Sequence, residues 1–410
     1  MLNSGHNFRK DTPVTSPVAQ WEFHPGHFWM RGKRPDKIVD YDEELQLWNV
    51  YGYPESAAIL SNPKVFSSDT MRLDPIKLDE AIVEGDFAHT DPPKHRRLRG
   101  LVDHAFTPSL VAKMESRVHG IIHELLDGVE GKSQFDLVAE FAAPLPLIMI
   151  SDLLGVPESD RALFRQWMDK MLDGSEKFES PETVLEQEEE LHKELELLWE
   201  MRDYWHERAA ESRKRPREDL ISQLVHAEVD GQKLNDSQIS NIANRLLVNG
   251  HLTTAMLIAN TMLCLDAFSD QDARVRADRS LVPALLEESM RYMSPICGVG
   301  RATNSEVEVA GTVIPKDQLL LVWTGAANRD ERQFEKPDVF DAGRSPNAHL
   351  GLGRGIHFCL GRQLARMESK AAVEILLDRL PTLRADPANP PTFLQVVDAS
   401  GVATLPVVTQ

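Results

Sequence analysis

The feature that most constrains the fold is a long helical segment in the second half of the chain. Asn235, Asp236 or Ser237 can cap its first turn, and the helical pattern then continues without proline to about Phe268. At roughly 1.5 Å per residue such a helix is ~45 Å long, which is enough to cross a whole domain. Gly250 lies in its middle, where glycine costs ~1 kcal/mol relative to alanine. Either a close approach to the backbone or a packing contact has to explain this glycine.

The rest of the pattern is mainly helical. Amphipathic or charged helices are predicted at 109–128, 138–154 and 181–213. Strand signals are short and sparse, at 37–41, 48–51, 306–309, 319–322 and 402–408. Proline and glycine punctuate 335–361, which predicts an extended loop. We therefore expect one mainly α domain with small β-sheets over residues 1–410, in which 1–20 form a flexible N-terminal segment.

Composition and charge restrict the class of function. The chain has 45 Lys and Arg against 64 Asp and Glu, a formal net charge of −19. This balance disfavours nucleic-acid binding, because phosphate contacts require a cationic field. No stretch approaches the ~18 apolar residues of a membrane span, and the polar N-terminus has no signal-peptide pattern. Three cysteines without CxxC spacing predict a reducing, cytoplasmic compartment.

One cysteine stands in a glycine-rich loop directly before a predicted helix. Gly353, Gly355 and Gly361 flank Cys359, and a run of good helix formers follows. Glycines allow strained turns and close approach to a flat ligand, and a helix N-terminus stabilises a thiolate. Thiolate ligation of haem iron favours O–O cleavage. A buried structural cysteine does not explain the glycines, and a zinc site needs more ligands than Cys359 and His357.

This loop resembles the haem-binding signature of the cytochrome P450 family, in its soluble bacterial class. The resemblance extends over roughly residues 40–408. It implies a cytochrome P450 fold with a long central helix over the haem, and heme b (iron protoporphyrin IX) as cofactor. Cys359 would be the axial iron ligand, and Leu352 replaces a usual Phe with another apolar side chain. The haem-binding residues implied in the loop are Gly353, Phe358, Cys359 and Gly361.

Two further sets of residues agree with this resemblance. Glu288 and Arg291 match the family's ExxR helix, in which the two side chains share one face, and Arg344 fits the place of their third partner. In the family these residues lock the region behind the haem. Four basic residues match contacts to the haem propionates, because Arg and His suit carboxylates through charge-assisted hydrogen bonds. They are His95, Arg99, Arg301 and His349.

Within the long helix, Asn249, Gly250 and Thr253 resemble the family's oxygen-activation motif. The resemblance implies that Gly250 makes room for dioxygen and that Thr253 donates a hydrogen bond to it. Leu252 occupies the position at which the family usually has an acidic residue for proton delivery, and leucine cannot hold or pass a proton. A water chain, Asn249 or the substrate itself is then left to carry protons. His251 is expected to point away from the haem side, because two residues correspond to ~200° of helix.

Arg245 is expected to border the substrate pocket. It is spaced by four residues from Asn249, as Asn249 is from Thr253, so the three form one stripe. A buried Arg needs an anionic partner, which is either a substrate carboxylate or other acceptor-rich group, or an internal Asp or Glu. The resemblance also places mostly apolar side chains around the substrate. They are Phe87, Val248, Ile296, Val299 and Val397.

A local group of basic residues is expected on the cysteine side of the molecule. Against the overall negative charge, this patch either docks an acidic ferredoxin or flavodoxin-type redox partner or is a solvated basic face. The residues are Lys94, Arg96, Arg97, Arg354 and Arg362.

The resemblance implies a monomeric haem-thiolate monooxygenase. It would insert one oxygen atom from O2 into a small organic substrate, in secondary metabolism, with electrons from NAD(P)H through a separate ferredoxin and reductase. Leu252 keeps an atypical oxidation open, such as coupling, dehydrogenation or peroxide-driven chemistry. A non-enzymatic haem sensor is a third alternative, against which Thr253 and the basic residues argue.

Overall fold

The computed structural model describes residues 18, 21–74, 78–179, 184–229 and 231–409. The expected flexible segment 1–20 lies outside these residues, apart from Val18. Helices dominate the described part of the chain. In chain order they are α1 Tyr53–Ser61, α2 Glu80–Val83, α3 Lys94–Asp103, α4 Pro108–Asp127, α5 Pro144–Leu154, α6 Arg161–Glu179, α7 Val184–Lys214, α8 Leu220–His226, α9 Asp236–Ala267, α10 Ser269–Ala277, α11 Val282–Tyr292, α12 Thr324–Ala327 and α13 Arg362–Arg379.

The strands are short and lie between the helices. They are β1 Val39–Asp42, β2 Leu47–Val50, β3 Phe66–Ser67, β4 Gln134–Asp136, β5 Glu228–Val229, β6 Gln232–Lys233, β7 Val299–Thr303, β8 Val307–Val309, β9 Thr312–Ile314, β10 Leu319–Val322, β11 Arg384–Ala385, β12 Thr392–Phe393, β13 Val402–Thr404 and β14 Pro406–Val408. The largest sheet has five strands in the order β1-β2-β10-β7-β3. β10 runs parallel to β2 and antiparallel to β7.

The predicted elements are confirmed with small shifts at their ends. The helices expected at 109–128 and 181–213 are α4 and α7, of which 181–183 lie outside the described residues. The segment 138–154 divides into a π-helical turn, Val138–Ala142, and α5. The expected strands correspond to β1, β2, β8 and β10, and 402–408 forms the two strands β13 and β14. β7 was not predicted, because Gly300 interrupts its pattern of large apolar residues.

The long helix predicted from Asn235 to Phe268 is α9. Asn235 caps it in a reciprocal box: its side chain accepts from the Gln238 amide at 2.8 Å, and the Gln238 side chain accepts from the Asn235 amide at 3.1 Å. The helix packs against α5, α7, α11 and α13. Contrary to the expectation that no stretch approaches a membrane span, α9 is apolar and long enough to cross one, but 72% of its most apolar stretch is buried inside the protein, as in a core helix.

Candidate active site

A cavity of about 440 Å³ separates the middle of α9 from the glycine-rich cysteine loop. Asn249, Gly250 and Thr253 line it from α9, and the loop contributes a second set. That set includes Leu352, Gly353, His357, Cys359 and Gly361. The residues that the resemblance assigns to dioxygen and to the haem iron therefore face the same space.

Cys359 is held in this wall by its own backbone. Its amide donates a hydrogen bond to the carbonyl of Leu352 at 3.0 Å, which closes the loop before α13. Burial raises the pKa of the Cys359 thiol, while the amide of Gly361 and the charges of Arg99 and Arg362 oppose that rise. A cysteine binds metal as the thiolate, and an amide donor and nearby cations stabilise that form.

Gly355 lets the cysteine loop lie directly on α1. Its φ is +74°, a left-handed conformation, and a Cβ atom there would lie 2.4 Å from the carbonyl oxygen of Leu60. Any other residue would therefore push the loop away from α1. The sequence predicted that glycines in this loop allow close approach to a flat ligand. At Gly355 the group that approaches closely is the backbone of α1.

Four basic side chains converge beside the cavity. The rings of His95 and His357 lie 4.2 Å apart between centroids, and the Nε2 atom of each is buried without a hydrogen-bond partner. Arg99 and Arg301 line the cavity next to them. Burial, together with the charges of His95 and Arg301, lowers the pKa of His357 to about 3. Buried donors without acceptors are costly, and the two carboxylates of a haem fit this group.

The structure corrects two of the expected haem contacts. His349 does not line the cavity; its Nε2 atom lies 3.1 Å from Oε2 of Glu287, and Arg366 completes that pair. His357, two residues before the cysteine, lines the cavity instead. Phe358 also faces away from the cavity, where Arg362 lies over its ring at 5.1 Å.

The predicted group of Glu288, Arg291 and Arg344 forms a buried network. Glu288 and Arg291 are fully buried and bind through two hydrogen bonds of 2.8 Å, and Nε of Arg344 lies 3.0 and 3.1 Å from the same carboxylate. Arg291 also donates to the carbonyl oxygens of Asn328, Pro337 and Val339. The network ties α11 to the loop that leads to Cys359.

A sequence model of the cytochrome P450 family matches residues 20–396. The chain belongs to the cytochrome P450 family. The expected fold and the expected enzyme class, a haem-thiolate monooxygenase, are thereby confirmed. Haem is accordingly its cofactor, and the residues around the cavity fit it.

Several known proteins are similar to this P450 over most of its length. The cyclomarin C epoxidase CymV of Salinispora arenicola is 37% identical over 354 residues, 86% of this chain and 88% of that protein. A solved structure from work on unusual cytochrome P450-like monooxygenases of microbial secondary metabolism is 98% identical, with a TM-score of 0.91, over 95% of this chain and 100% of that one. HmtT, involved in himastatin biosynthesis, is 51% identical with a TM-score of 0.86, over 97% and 100% of the two chains.

On the oxygen side of this P450, Thr253 is held by its own helix. Its hydroxyl donates to the carbonyl of Asn249 at 2.8 Å. A Cβ atom on Gly250 would lie 3.1 Å from the side chain of Ile150, so a packing contact with α5 accounts for this glycine even though it also lines the cavity. Leu252 packs into the apolar core. His251 points away as expected and bonds the carbonyl of Ala143 at 3.1 Å, where burial lowers its pKa to about 4.

Arg245 lines the cavity as expected, and its anionic partner is internal. Its Nε atom lies 3.2 Å from Oδ1 of Asp86, and an Nη atom bonds the other carboxylate oxygen. His89 adds a second contact, with Nδ1 at 2.8 Å from Oδ2 of Asp86. Although burial raises the pKa of Asp86, His89 and Arg245 together hold it well below its usual value. The charge of Arg245 is therefore compensated within the protein.

The expected apolar lining is present only in part. Phe87, Ile296 and Val299 line the cavity, whereas Val248 packs into the core and the carbonyl of Val397 accepts a hydrogen bond from His27 at 3.0 Å. The next residue, Asp398, does line the cavity, and sequence reasoning missed it. The only feature of the sequence that could have indicated it is an acidic side chain within an apolar segment.

The basic residues predicted on the cysteine side are at the surface. Lys94, Arg96, Arg97 and Arg354 are exposed, and Arg362 is half-buried over Phe358. None of the ion pairs among the described residues involves Lys94 or Arg96. We call these five residues the proximal basic face.

Proposed function

We propose that this P450 inserts one oxygen atom from O2 into a C–H or C=C bond of a small organic substrate of bacterial secondary metabolism. The observation that carries the proposal is the single cavity shared by Cys359 and Thr253. The names of CymV, an epoxidase, and of the erythromycin C-12 hydroxylase of Saccharopolyspora erythraea, 34% identical, support this type of reaction. We propose that residues 1–410 form one haem domain.

The cofactor is heme b, bound through Cys359, and it supplies the redox chemistry that cleaves the O–O bond. His95, Arg99, Arg301 and His357 hold its propionates in this proposal. The support is the two unpartnered Nε2 atoms beside two cavity-lining guanidiniums. Gly353 and Gly361 line the adjoining wall, and the Gly361 amide stabilises the thiolate.

Thr253 acts as the proton donor nearest to dioxygen in this proposal. Its single hydroxyl proton is shared with the Asn249 carbonyl, so it has to turn away from the helix to donate elsewhere. Gly250 and Asn249 line the same part of the cavity. Because Leu252 cannot relay a proton, water in the cavity or a group of the substrate has to deliver it.

Leu252 favours a second candidate, an atypical oxidation on the same fold. Peroxide brings its own electrons and protons, so a peroxide-driven oxidation does not depend on the proton relay that Leu252 cannot provide, whereas coupling or dehydrogenation with O2 needs the same protons as insertion of oxygen. Low coupling of NADPH to product together with good turnover on peroxide would favour this candidate, whereas tight NADPH coupling would reject it.

Electrons come from NAD(P)H through a separate reductase and an acidic ferredoxin or flavodoxin in this proposal. The proximal basic face supports it, since complementary charge steers such encounters. We also propose a cytoplasmic monomer that binds neither nucleic acid nor membrane. The net charge of −19 supports the first of these exclusions.

A substrate screen tests the proposed reaction. Compounds are first selected by a low-to-high-spin shift of the haem absorption and then incubated with NADPH, a surrogate ferredoxin and its reductase. The expected result is a product one oxygen atom heavier than the substrate. Consumption of NADPH without any oxidised product from every binding compound would overturn the proposal.

A further inference from the structure

Asp398 is an acidic side chain that the backbone holds at the edge of the active-site cavity. The amides of Cys297 and Gly298 donate to its carbonyl oxygen at 2.8 and 3.1 Å. Two residues later, the amide of Ser400 donates to the carbonyl of Pro295 at 2.9 Å. Three backbone bonds therefore fix the loop between β12 and β13 against the start of β7.

Gly298 allows this close approach. A Cβ atom at position 298 would lie 3.1 Å from Cβ of Asp398 and 3.2 Å from its Cα, which is tighter than side chains normally pack. A larger residue would displace Asp398 from the cavity wall. Glycine at position 298 is therefore needed to keep Asp398 at the cavity wall.

The carboxylate of Asp398 has no cationic partner among the described residues. Asp398 is an exposed residue, and it lines the cavity. Burial raises its pKa, and the effect opposing this rise comes from its own backbone amide rather than from an Arg, Lys or His. Asp86 differs, since Arg245 and His89 compensate its charge.

With Arg99 and Arg301 assigned to the haem propionates, the substrate part of the cavity combines a compensated cation, Arg245, with an uncompensated anion, Asp398. Water can solvate Asp398 while the cavity is open, but a substrate that fills the cavity displaces that water. A carboxylate left without water or a partner is costly, and a second carboxylate beside it is worse. A ligand that brings its own positive charge avoids this cost and gains a charge-assisted hydrogen bond.

We propose that Asp398 binds a positively charged nitrogen group of the substrate, an ammonium, amidinium or guanidinium, and so selects cationic over anionic small molecules. The proposal rests on the proposed function only in that this ligand is the molecule to be oxidised. Asp398 is then a specificity-determining residue, and Arg245 is not the anchor for a substrate carboxylate.

Binding of three probes with the same alkyl chain tests this directly. Octylguanidinium stays protonated and cannot ligate iron through a nitrogen lone pair, octylurea is its neutral isostere, and nonanoate carries the opposite charge. Dissociation constants are measured by calorimetry on the haem-loaded protein and its Asp398→Asn variant. Asp317→Asn is the matched control, because Asp317 is a carboxylate outside the cavity that pairs with Arg72.

We expect wild-type protein to bind octylguanidinium more tightly than octylurea, and Asp398→Asn to lose about tenfold or more in affinity for octylguanidinium. The affinity for octylurea is expected to be similar in wild type and Asp398→Asn, and nonanoate is expected to bind more tightly to Asp398→Asn. Asp317→Asn is expected to bind all three probes as wild type does. Equal affinity of wild type and Asp398→Asn for octylguanidinium would overturn the proposal. An equal loss for octylurea would do the same, because it would indicate a change of shape.

Calorimetry separates this result from the fate of the proposed reaction. Charge selectivity that depends on Asp398, in a protein for which the substrate screen yields no oxidised product, supports the inference and rejects the proposed insertion of oxygen. Oxidation of a bound substrate without that charge selectivity supports the proposed function and rejects the inference about Asp398.

Discussion

Asp86 and Arg245 join the segment before α3 to the central helix α9 through a two-point ion pair. Side-chain exposure is 7% for Asp86 and 27% for Arg245, so the pair lies at the boundary between core and cavity. His89 binds the same carboxylate from the cavity side. The arrangement gives Arg245 a structural role and fixes one polar corner of the cavity.

Replacing Arg245 with leucine should destabilise the fold. The change leaves the Asp86 carboxylate buried with only His89 and the Ala88 amide as partners, and breaking such a pair costs about 3 kcal/mol. Urea unfolding midpoints measure the loss. The double variant Asp86→Leu/Arg245→Leu should recover part of it, because no unpaired charge is left. A double variant as unstable as the sum of its single changes would contradict this account.

Thr253→Val should uncouple oxygen consumption from product formation. Valine keeps the shape but removes the hydroxyl, and loss of one hydrogen bond to the reacting oxygen corresponds to about tenfold in productive turnover. Thr261→Val is a matched control, since Thr261 makes the same bond to the residue four before it, at 2.7 Å, but does not line the cavity. Equal coupling in the two variants, measured as product per NADPH, would reject the role of Thr253.

Glu368→Gln should stabilise the protein increasingly as the pH rises. Glu368 is almost fully buried on α13, Oε2 has no partner, and burial raises its pKa well above the usual value of 4.5. The folded state therefore keeps a proton that the unfolded chain releases above about pH 4.5, and wild-type stability falls with rising pH. Glutamine cannot ionise and avoids this fall.

Urea unfolding between about pH 4 and pH 8 checks the sign. The two proteins should be similar in stability below about pH 4.5, and the variant should be the more stable near neutrality. Glu374→Gln, at a half-buried residue of the same helix that pairs with Lys370 at 3.1 Å, should show no such gain. A difference between wild type and Glu368→Gln that does not vary with pH would contradict the interpretation.

Neutralising the proximal basic face should weaken binding of the redox partner. Lys94→Gln/Arg96→Gln is expected to raise the KM for an acidic ferredoxin several-fold and to flatten its dependence on salt, while substrate binding stays unchanged. Lys37→Gln/Lys316→Gln removes the same charge from exposed lysines elsewhere. If both double variants behave alike, the proximal face is only a solvated surface.

The sequence sufficed where the structure depends on short local patterns. The loop around Cys359, the pair Glu288 and Arg291, and the length of α9 all depend on spacing within a few turns of chain. Arg344 was also assigned correctly, because the resemblance supplied its place in the network.

Contacts between distant segments could not be predicted in this way. His349 and His357 lie in one loop, and spacing alone does not decide which of them faces the cavity. Asp86 and Arg245 are separated by 159 positions, so only the packed structure identifies the acidic partner. Val397 and Asp398 are adjacent in an irregular loop, where no helical or strand period indicates which side chain points inwards.

The carbon monoxide difference spectrum of the reduced, haem-loaded protein tests the central claim that the Cys359 thiolate ligates the iron. Native wild type should absorb at about 450 nm, Cys359→Ser should lose this band, and Cys297→Ala should keep it. A band at about 420 nm in native wild-type protein, or an unchanged spectrum in Cys359→Ser, would contradict the account.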